Sequence, residues 1–308
     1  MMSSVSNYKH KSLLRSRIGN FCVASAGLAT MLLASGNAVA IDVDAGDYTA
    51  LPAGTNLGMV YYQYATADSL YSDGDKAPIN AGLDSQVGIL RGVHFTEIGG
   101  YTVDPQFLLP FGKVEGKDDT SALGDTSGIG DLLLAATVWL VNKPESNTYF
   151  GITPFLYVPV GSYDRNDTLN LGENRWKYAL QAGYITGLTS KISLDLIGDV
   201  TFFGKNDELG ASKATLEQDP LYQFQGFLRY NVTPQWDLRT GISHTLGGET
   251  QVNDINQDND LATTKMTIGT AWFANPGLQL IANYGRDLSV ENGFKEQHRL
   301  NFRILKAF

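Results

Sequence analysis

Along most of the chain apolar and polar residues exchange places at every second position, in blocks of about ten residues separated by Gly, Asn, Asp and Pro. Two is the strand period, because successive side chains of an extended backbone point to opposite faces. In the last dozen residues Leu300, Phe302, Ile304, Lys306 and Phe308 share one face, while Arg299, Asn301, Arg303 and Leu305 share the other. The pattern predicts strands near 56–66, 83–96, 101–114, 128–141, 148–160, 176–188, 191–204, 220–231, 236–246, 265–273, 278–288 and 297–308, an even set of twelve. Five connections between them are short: 97–100, 142–147, 189–190, 232–235 and 274–277. Six are longer: 67–82, 115–127, 161–175, 205–219, 247–264 and 289–296. Short and long alternate without exception. That order is the layout of an up-and-down antiparallel β-barrel crossing a membrane, with short turns at one end and long loops at the other. A chain that closes on an aromatic residue, here Phe308, resembles the last strand that barrel assembly machinery reads. Lys306 departs from the apolar face, but a lysine near a membrane interface snorkels its charge to water. The alternative for any one segment is an amphipathic strand of a soluble sheet.

The face carrying charge is the lumen side of such a barrel. In 191–204, Asp195 and Asp199 oppose Ile192, Leu194, Leu196, Val200 and Phe202, and a carboxylate does not sit in hydrocarbon. By the same parity Gln223, Gln225, Arg229, Asp237, Arg239, Arg299, Asn301 and Arg303 line the bore and a solute path along it. Opposite charges on the seventh to ninth strands either set selectivity or neutralise one another. Strand 83–96 is less clear, because Arg91 shares parity with Val87, Ile89 and Val93; a bulge or a rim position would reconcile this. Trp139 and Tyr149 flank a short turn, where an aromatic girdle is expected.

The front of the chain has another character. Lys9, Lys11, Arg15 and Arg17 precede an apolar run from Phe21 to Leu33 and then Ala38-Val39-Ala40, which reads as a secretory signal peptide over 1–40 and a barrel domain over 41–308. The single cysteine, Cys22, lies in that leader, so the mature chain has no disulfide, thiol nucleophile or thiolate ligand. Cleavage leaves 19 Lys and Arg against 32 Asp and Glu, a net charge near −13. Nucleic acid is excluded as a partner, since it demands a basic footprint. No stretch of the mature chain is long and apolar enough for a membrane helix, so a membrane location requires a closed barrel. The expected setting is the outer membrane of a bacterial cell, with its lipid and lipopolysaccharide as surroundings. The six long connections hold 20 of the 32 acidic groups and 7 of the 19 mature basic ones, which makes the outward mouth electronegative and disfavours anion entry at low ionic strength. Alternatively, acidic loops only keep the surface hydrated.

Enzymatic chemistry finds little support. Ser243 and His244 are adjacent and point to opposite faces of a strand, which leaves only a triad drawing on His94 or His298 with a distant serine. Asp254, Asn256, Asp258 and Asp260 alternate like a calcium loop, but Asn259 and Lys265 stand where glycine and a bidentate acid are required, so no metal or cofactor is assigned. A looser association with divalent cations near lipopolysaccharide phosphates stays open.

The middle of the chain reads Gly128-Ile129-Gly130-Asp131, then Trp139-Leu140-Val141-Asn142, Tyr149-Phe150-Gly151, Pro159-Val160-Gly161-Ser162-Tyr163-Asp164 and Asn170-Leu171-Gly172-Glu173-Asn174-Arg175-Trp176. It resembles the outer-membrane family named for the meta-pathway of phenol degradation; Val160 replaces that family's usual threonine. The resemblance implies an outer-membrane barrel passing small hydrophobic or aromatic molecules by passive diffusion. A lipid-modifying hydrolase and a non-transporting surface barrel are the competing classes. Within the motif, Asp164, Asn170, Asn174 and Arg175 are either loop ties or solute contacts. Pro105 and Pro110 in one strand, and Pro154 and Pro159 in another, flank strand 128–141; since proline cannot donate to a ladder, they mark either a place where the wall opens sideways or harmless rim positions and bulges.

Overall fold

The computed structural model describes residues 42–308, so the expected leader and Cys22 lie outside the described residues. Twelve long antiparallel strands form the wall: β1 (Asn56–Ser72), β2 (Ala81–His94), β3 (Tyr101–Asp118), β4 (Leu132–Lys143), β5 (Thr148–Val158), β6 (Lys177–Gly187), β7 (Ile192–Phe203), β8 (Leu221–Thr233), β9 (Trp236–Gly247), β10 (Leu261–Asn275), β11 (Leu278–Val290) and β12 (Gly293–Ala307). Each pairs with its neighbour in sequence, and β12 closes on β1 from Leu57↔Ala307 to Tyr71↔Gly293. Closure removes both sheet edges, which is what a sheet in hydrocarbon must achieve. All twelve expected segments are present. Those around the closure run further toward the loop end than the alternation suggested, and the expected connection 289–296 shrinks to residues 291–292.

The two faces follow the period of two. Val60, Leu90, Leu180, Leu196, Phe224, Ile268 and Phe302 are 43–58% exposed on the outside, an apolar belt for acyl chains. A soluble sandwich would have buried Phe224 and Phe302 in an oily centre. Phe308 is outward too, and its backbone exchanges hydrogen bonds with Asn56 at 3.0 and 3.1 Å.

Strand β2 needs no bulge. Arg91, Val87, Ile89 and Val93 face inward together, while the outward set is Gly88, Leu90, Gly92 and His94. The two glycines are roofed by rings from β3: Gly88 lies opposite Phe111 and Gly92 opposite Phe107, and a Cβ at either would stand 2.4–2.5 Å from the ring. Phenylalanine therefore supplies the lipid surface that the glycines lack. At the loop end, Asn206–Leu209, Ala214–Gln218, Thr250–Val252 and Ile255–Asn256 build a separate four-stranded sheet. Asp254 and Asn256 of the residues that resemble a calcium loop belong to its last hairpin, with Asn253 and Asp254 at φ 50° and 62° in the turn, while Asp258 and Asp260 follow it.

Gly88→Val should lower barrel stability by about 1–3 kcal/mol by displacing the Phe111 ring. The temperature at which the folded band disappears on an unheated-gel assay should fall; an unchanged temperature would mean the ring packing contributes nothing.

Candidate functional site

Residues 42–55 hold no regular period and join no wall strand. From Asn56 at the turn end they run back up the bore, through a tight turn at residues 44–49 where Asp47 N–H donates to Asp44 O (3.1 Å) and Thr49 N–H to Gly46 O (3.0 Å). Wall and segment are matched in shape. The Tyr48 ring sits over Gly183 and Gly151, which face each other across β5 and β6; a Cβ on Gly183 would be 2.2 Å from the ring. The Tyr48 hydroxyl donates to Gln181 Oε1 (3.0 Å) and shares a hydrogen bond with Thr153 Oγ1 (2.9 Å). Trp139 Nε1–H donates to Tyr48 O at 2.9 Å, and Trp139 and Tyr149 are 2% and 5% exposed. These two aromatics are therefore not girdle residues. They line the inside, packed with Ala45, Tyr48, Phe95 and Ile185, because the luminal segment gives them an apolar partner there.

The ten parity-assigned side chains all sit on the inner face, and most touch the segment. Asp195 Oδ2 accepts Gly46 N–H (2.6 Å) while its other oxygen pairs with Arg229 (3.0 Å). Gln225 Oε1 accepts Val43 N–H (3.3 Å), and Gln223 Nε2 donates to Asp42 (3.0 Å). Arg239 pairs with Asp237 on its own strand (2.7 Å) and donates to Ala45 O (2.9 Å). Asp199 accepts from Gln181 (3.3 Å). Arg299 pairs with Glu296 (2.6 Å) and reaches Asp42 (3.8 Å), Arg303 pairs with Asp47 (2.6 Å) and Asp44 (3.0 Å), and Asn301 on β12 lies opposite Gln63 on β1. Opposite charges on β7 and β8 thus pair directly across the ladder, whereas Asp237 and Arg239 pair within β9.

Sequence reasoning missed half of this network. Asp42, Asp44 and Asp47 precede the first strand, where no alternation exists to place them. Lys265, which joins Asp42 (3.5 Å) to Glu296 (3.6 Å), was legible from the parity of β10 but stood at the edge of the assigned strand. Arg91 pairs with Asp47 at 3.1 Å. Among the described residues the bore contains a cavity of about 90 Å³ toward the loop end and another of about 340 Å³ toward the turn end. Ala45, Asp47, Arg91, Arg239 and Arg303 line both, so these residues form the partition between them.

The family model described as "MetA-pathway of phenol degradation" matches residues 66–304. The chain belongs to that family. An outer membrane channel from Pseudomonas putida F1 is 46% identical, with a TM-score of 0.84 over 87% of this chain and 100% of that one. More remote barrels overlap far less well. The beta domain of the Bordetella autotransporter BrkA is 10% identical with a TM-score of 0.49, over 83% of this chain and 100% of that one. The CymD monoaromatic hydrocarbon channel is 12% identical with a TM-score of 0.43, over 84% and 89%. No curated protein matches the chain. The family match begins at Thr66, beyond the luminal segment.

The stretch that carries the family resemblance is a repair of the wall. The outer piece Asp125–Ile129 and β4 both pair with β3, and the chain steps out of register between them at Gly130-Asp131. The Asp131 carboxylate takes the Gly161 N–H and the Glu173 N–H, each at 3.0 Å, and Ser162 N–H donates to Ile129 O at 2.8 Å. Both feet of loop 159–176 are thereby stitched to the break. Gly161 and Gly172 approach so closely that a Cβ on either would lie 2.6 Å from the other's backbone. Of the four loop residues, Asn170 accepts from Asp164 N–H (2.7 Å) and donates to Asp164 O (3.0 Å), and Asp164 accepts from Asn166. Asn174 donates to Asn206 (3.1 Å), and Arg175 pairs with Glu173 (2.7 Å), donates to Gln218 (2.6 Å) and stacks on Phe203 (4.6 Å). Pro105 faces Ala136, Pro110 faces Ile89 and Pro154 faces Leu180 in continuing ladders, while Pro159 follows the end of β5. On the other edge of Pro154 the β4–β5 ladder passes over Ala136 and Thr137, and Thr137 N–H donates to Asp104 instead (2.7 Å). His94, His244 and His298 are hydrogen-bonded to Asn56, Thr264 and Tyr284 on the exposed face, and among the described residues none of the three is hydrogen-bonded to a serine or a carboxylate.

Burial alone would raise the Glu173 carboxyl, but Lys177 and Arg175 beside it outweigh that and hold it below its ordinary value. A depressed folded value contributes stability above the ordinary range that is lost as pH falls through the folded value. Protection of loop 159–176 from proteolysis should hold at about pH 5 and fail only well below the ordinary glutamate value of about 4.3. Gly183→Val should expel the Tyr48 ring, and cleavage within residues 42–55 should rise several-fold while folded gel mobility is kept; unchanged cleavage would refute the socket.

Proposed function

We infer that the chain is an outer-membrane channel through which small hydrophobic or aromatic solutes pass by diffusion along the bore. The supporting observation is the bore itself: a closed twelve-stranded wall, apolar outside, encloses cavities toward both ends, and a short non-wall segment stands between them. Similarity at 46% identity to an outer membrane channel supports the same reading. Strand number sets the scale, since eight-stranded barrels are filled by their own side chains and sixteen-stranded ones leave an aqueous pore. A twelve-stranded bore with a segment along it suits narrow solutes. Passage then requires residues 44–47 to shift, because they stand between the cavities. Sideways release into the bilayer would use the two-residue interruption at Ala136–Thr137 beside Pro154, where the ladder between β4 and β5 lacks two pairs.

Liposomes containing the protein should admit solutes the size of phenol or benzoate faster than nucleosides, and nucleosides faster than disaccharides. Intact barrel mobility with no flux of any solute would sink the channel reading in favour of a structural role. Release of lysolipid would favour a hydrolase.

A further inference from the structure

The luminal cations divide into two kinds. Arg229, Arg239 and Arg299 each have a carboxylate supplied by the wall: Asp195, Asp237 and Glu296. Arg91 and Arg303 do not. Among the described residues, the carboxylates within ion-pair distance of them are Asp47 for Arg91, and Asp44 and Asp47 for Arg303, all on the luminal segment. Asp47 gives one oxygen to each guanidinium, Oδ2 to Arg91 at 3.1 Å and Oδ1 to Arg303 at 2.6 Å.

The clamp itself is built by the wall. Arg91 Nε–H donates to Gln106 Oε1 (2.9 Å), Arg303 Nη2 donates to Gln279 Oε1 (2.8 Å), and Arg91 Nη1 also donates to the Tyr61 hydroxyl (3.1 Å). Both forks therefore stay aimed when Asp47 is not between them. Ile89, Phe227 and Ile281 line the same cavity, so apolar surface adjoins the cationic pair.

We propose that Arg91 and Arg303 form a carboxylate-binding site on the solute path, occupied at rest by Asp47 and taken over by an aromatic or other apolar monocarboxylate when the segment moves aside. The proposal rests on the channel reading and narrows its solute class. A carboxylate is the group that two guanidinium forks recognise, and each incoming anion replaces the charge that leaves with Asp47. A neutral ring of the same size gains the apolar contacts but leaves both cations unanswered. The acidic loops act on the approach: they slow anion entry at low ionic strength without altering the clamp.

The test is calorimetric titration of the detergent-solubilised protein with sodium benzoate and with benzyl alcohol, its neutral analogue. Binding does not require conduction, so this result is independent of the liposome flux that decides the channel reading. In Asp44→Asn/Asp47→Asn, benzoate should bind roughly tenfold or more tightly than in the parent chain, and benzyl alcohol should be unchanged. Arg91→Gln/Arg303→Gln should abolish benzoate binding, and Arg91→Lys/Arg303→Lys, which keeps charge but loses the fork, should restore part of it. If the glutamine pair fails to fold on the unheated gel, Arg303→Gln alone in the asparagine background decides the matter by the same loss. Equal binding of benzoate and benzyl alcohol, or benzoate binding indifferent to the arginines, would overturn the proposal.

Discussion

Hydrocarbon offers no partner to a backbone N–H or C=O, and the whole molecule is arranged around that demand. A sheet can meet it only by closing, so β12 returns to β1. Closing a sheet of alternating strands then fixes where everything else goes: one parity faces lipid and the other is gathered into a bore too small to hydrate freely. Charges placed on the inner parity must be answered within that space. Some are answered along the wall, as Asp195 and Arg229 are. The remainder call for something inside the barrel, and residues 42–55 provide it.

The same demand explains the middle of the chain. At Gly130-Asp131 the ladder steps out of register, and above Val158 there is no further β5 to pair with the outer piece of β4. Asp131 and Ser162 satisfy the orphaned groups, and the glycines at 161 and 172 let two backbones meet where no side chain fits. The motif is thus a structural solution to a break in a membrane wall. Asp164, Asn170 and Asn174 make their hydrogen bonds within the loops, and Arg175 pairs there with Glu173 and Gln218.

Strand number and strand faces were legible in the sequence because both derive from a local period of two, whereas the alternation of short and long connections fails at the last one, where the strands run on and leave only residues 291–292. The misreadings have a common origin in partners that local pattern does not encode. Arg91 looked misplaced because its strand puts glycines on the lipid side, and the surface they lack comes from Phe107 and Phe111 one strand away. Trp139 and Tyr149 looked like girdle residues because the position near a turn is right for one; the apolar body they cover, Tyr48, arrives from 91 residues before Trp139 in the chain. Residues 42–55 carry three aspartates and a tyrosine but no period, so nothing in them announced a place inside the barrel. Only the mismatch between an apolar inner face on β2 and a supposedly wet bore hinted that the bore was filled.

That filling makes charge the natural coupling between the segment and whatever passes. Withdrawing Asp47 alone would strand Arg91 and Arg303 in a confined space, and breaking one side of a buried ion pair costs on the order of 3–5 kcal/mol, less where luminal water screens it. Thermal displacement of the segment is therefore rare when nothing replaces its carboxylates. A solute that brings an anion of its own removes that cost, so opening and binding become a single exchange. The Tyr48 socket works differently, because its ring packing and its neutral hydrogen bonds to Thr153, Gln181 and Trp139 involve no charge that a solute could replace. The segment is held in place at Tyr48 and exchangeable at Asp47, which lets the residues between the two cavities move while their anchor on β5 and β6 remains.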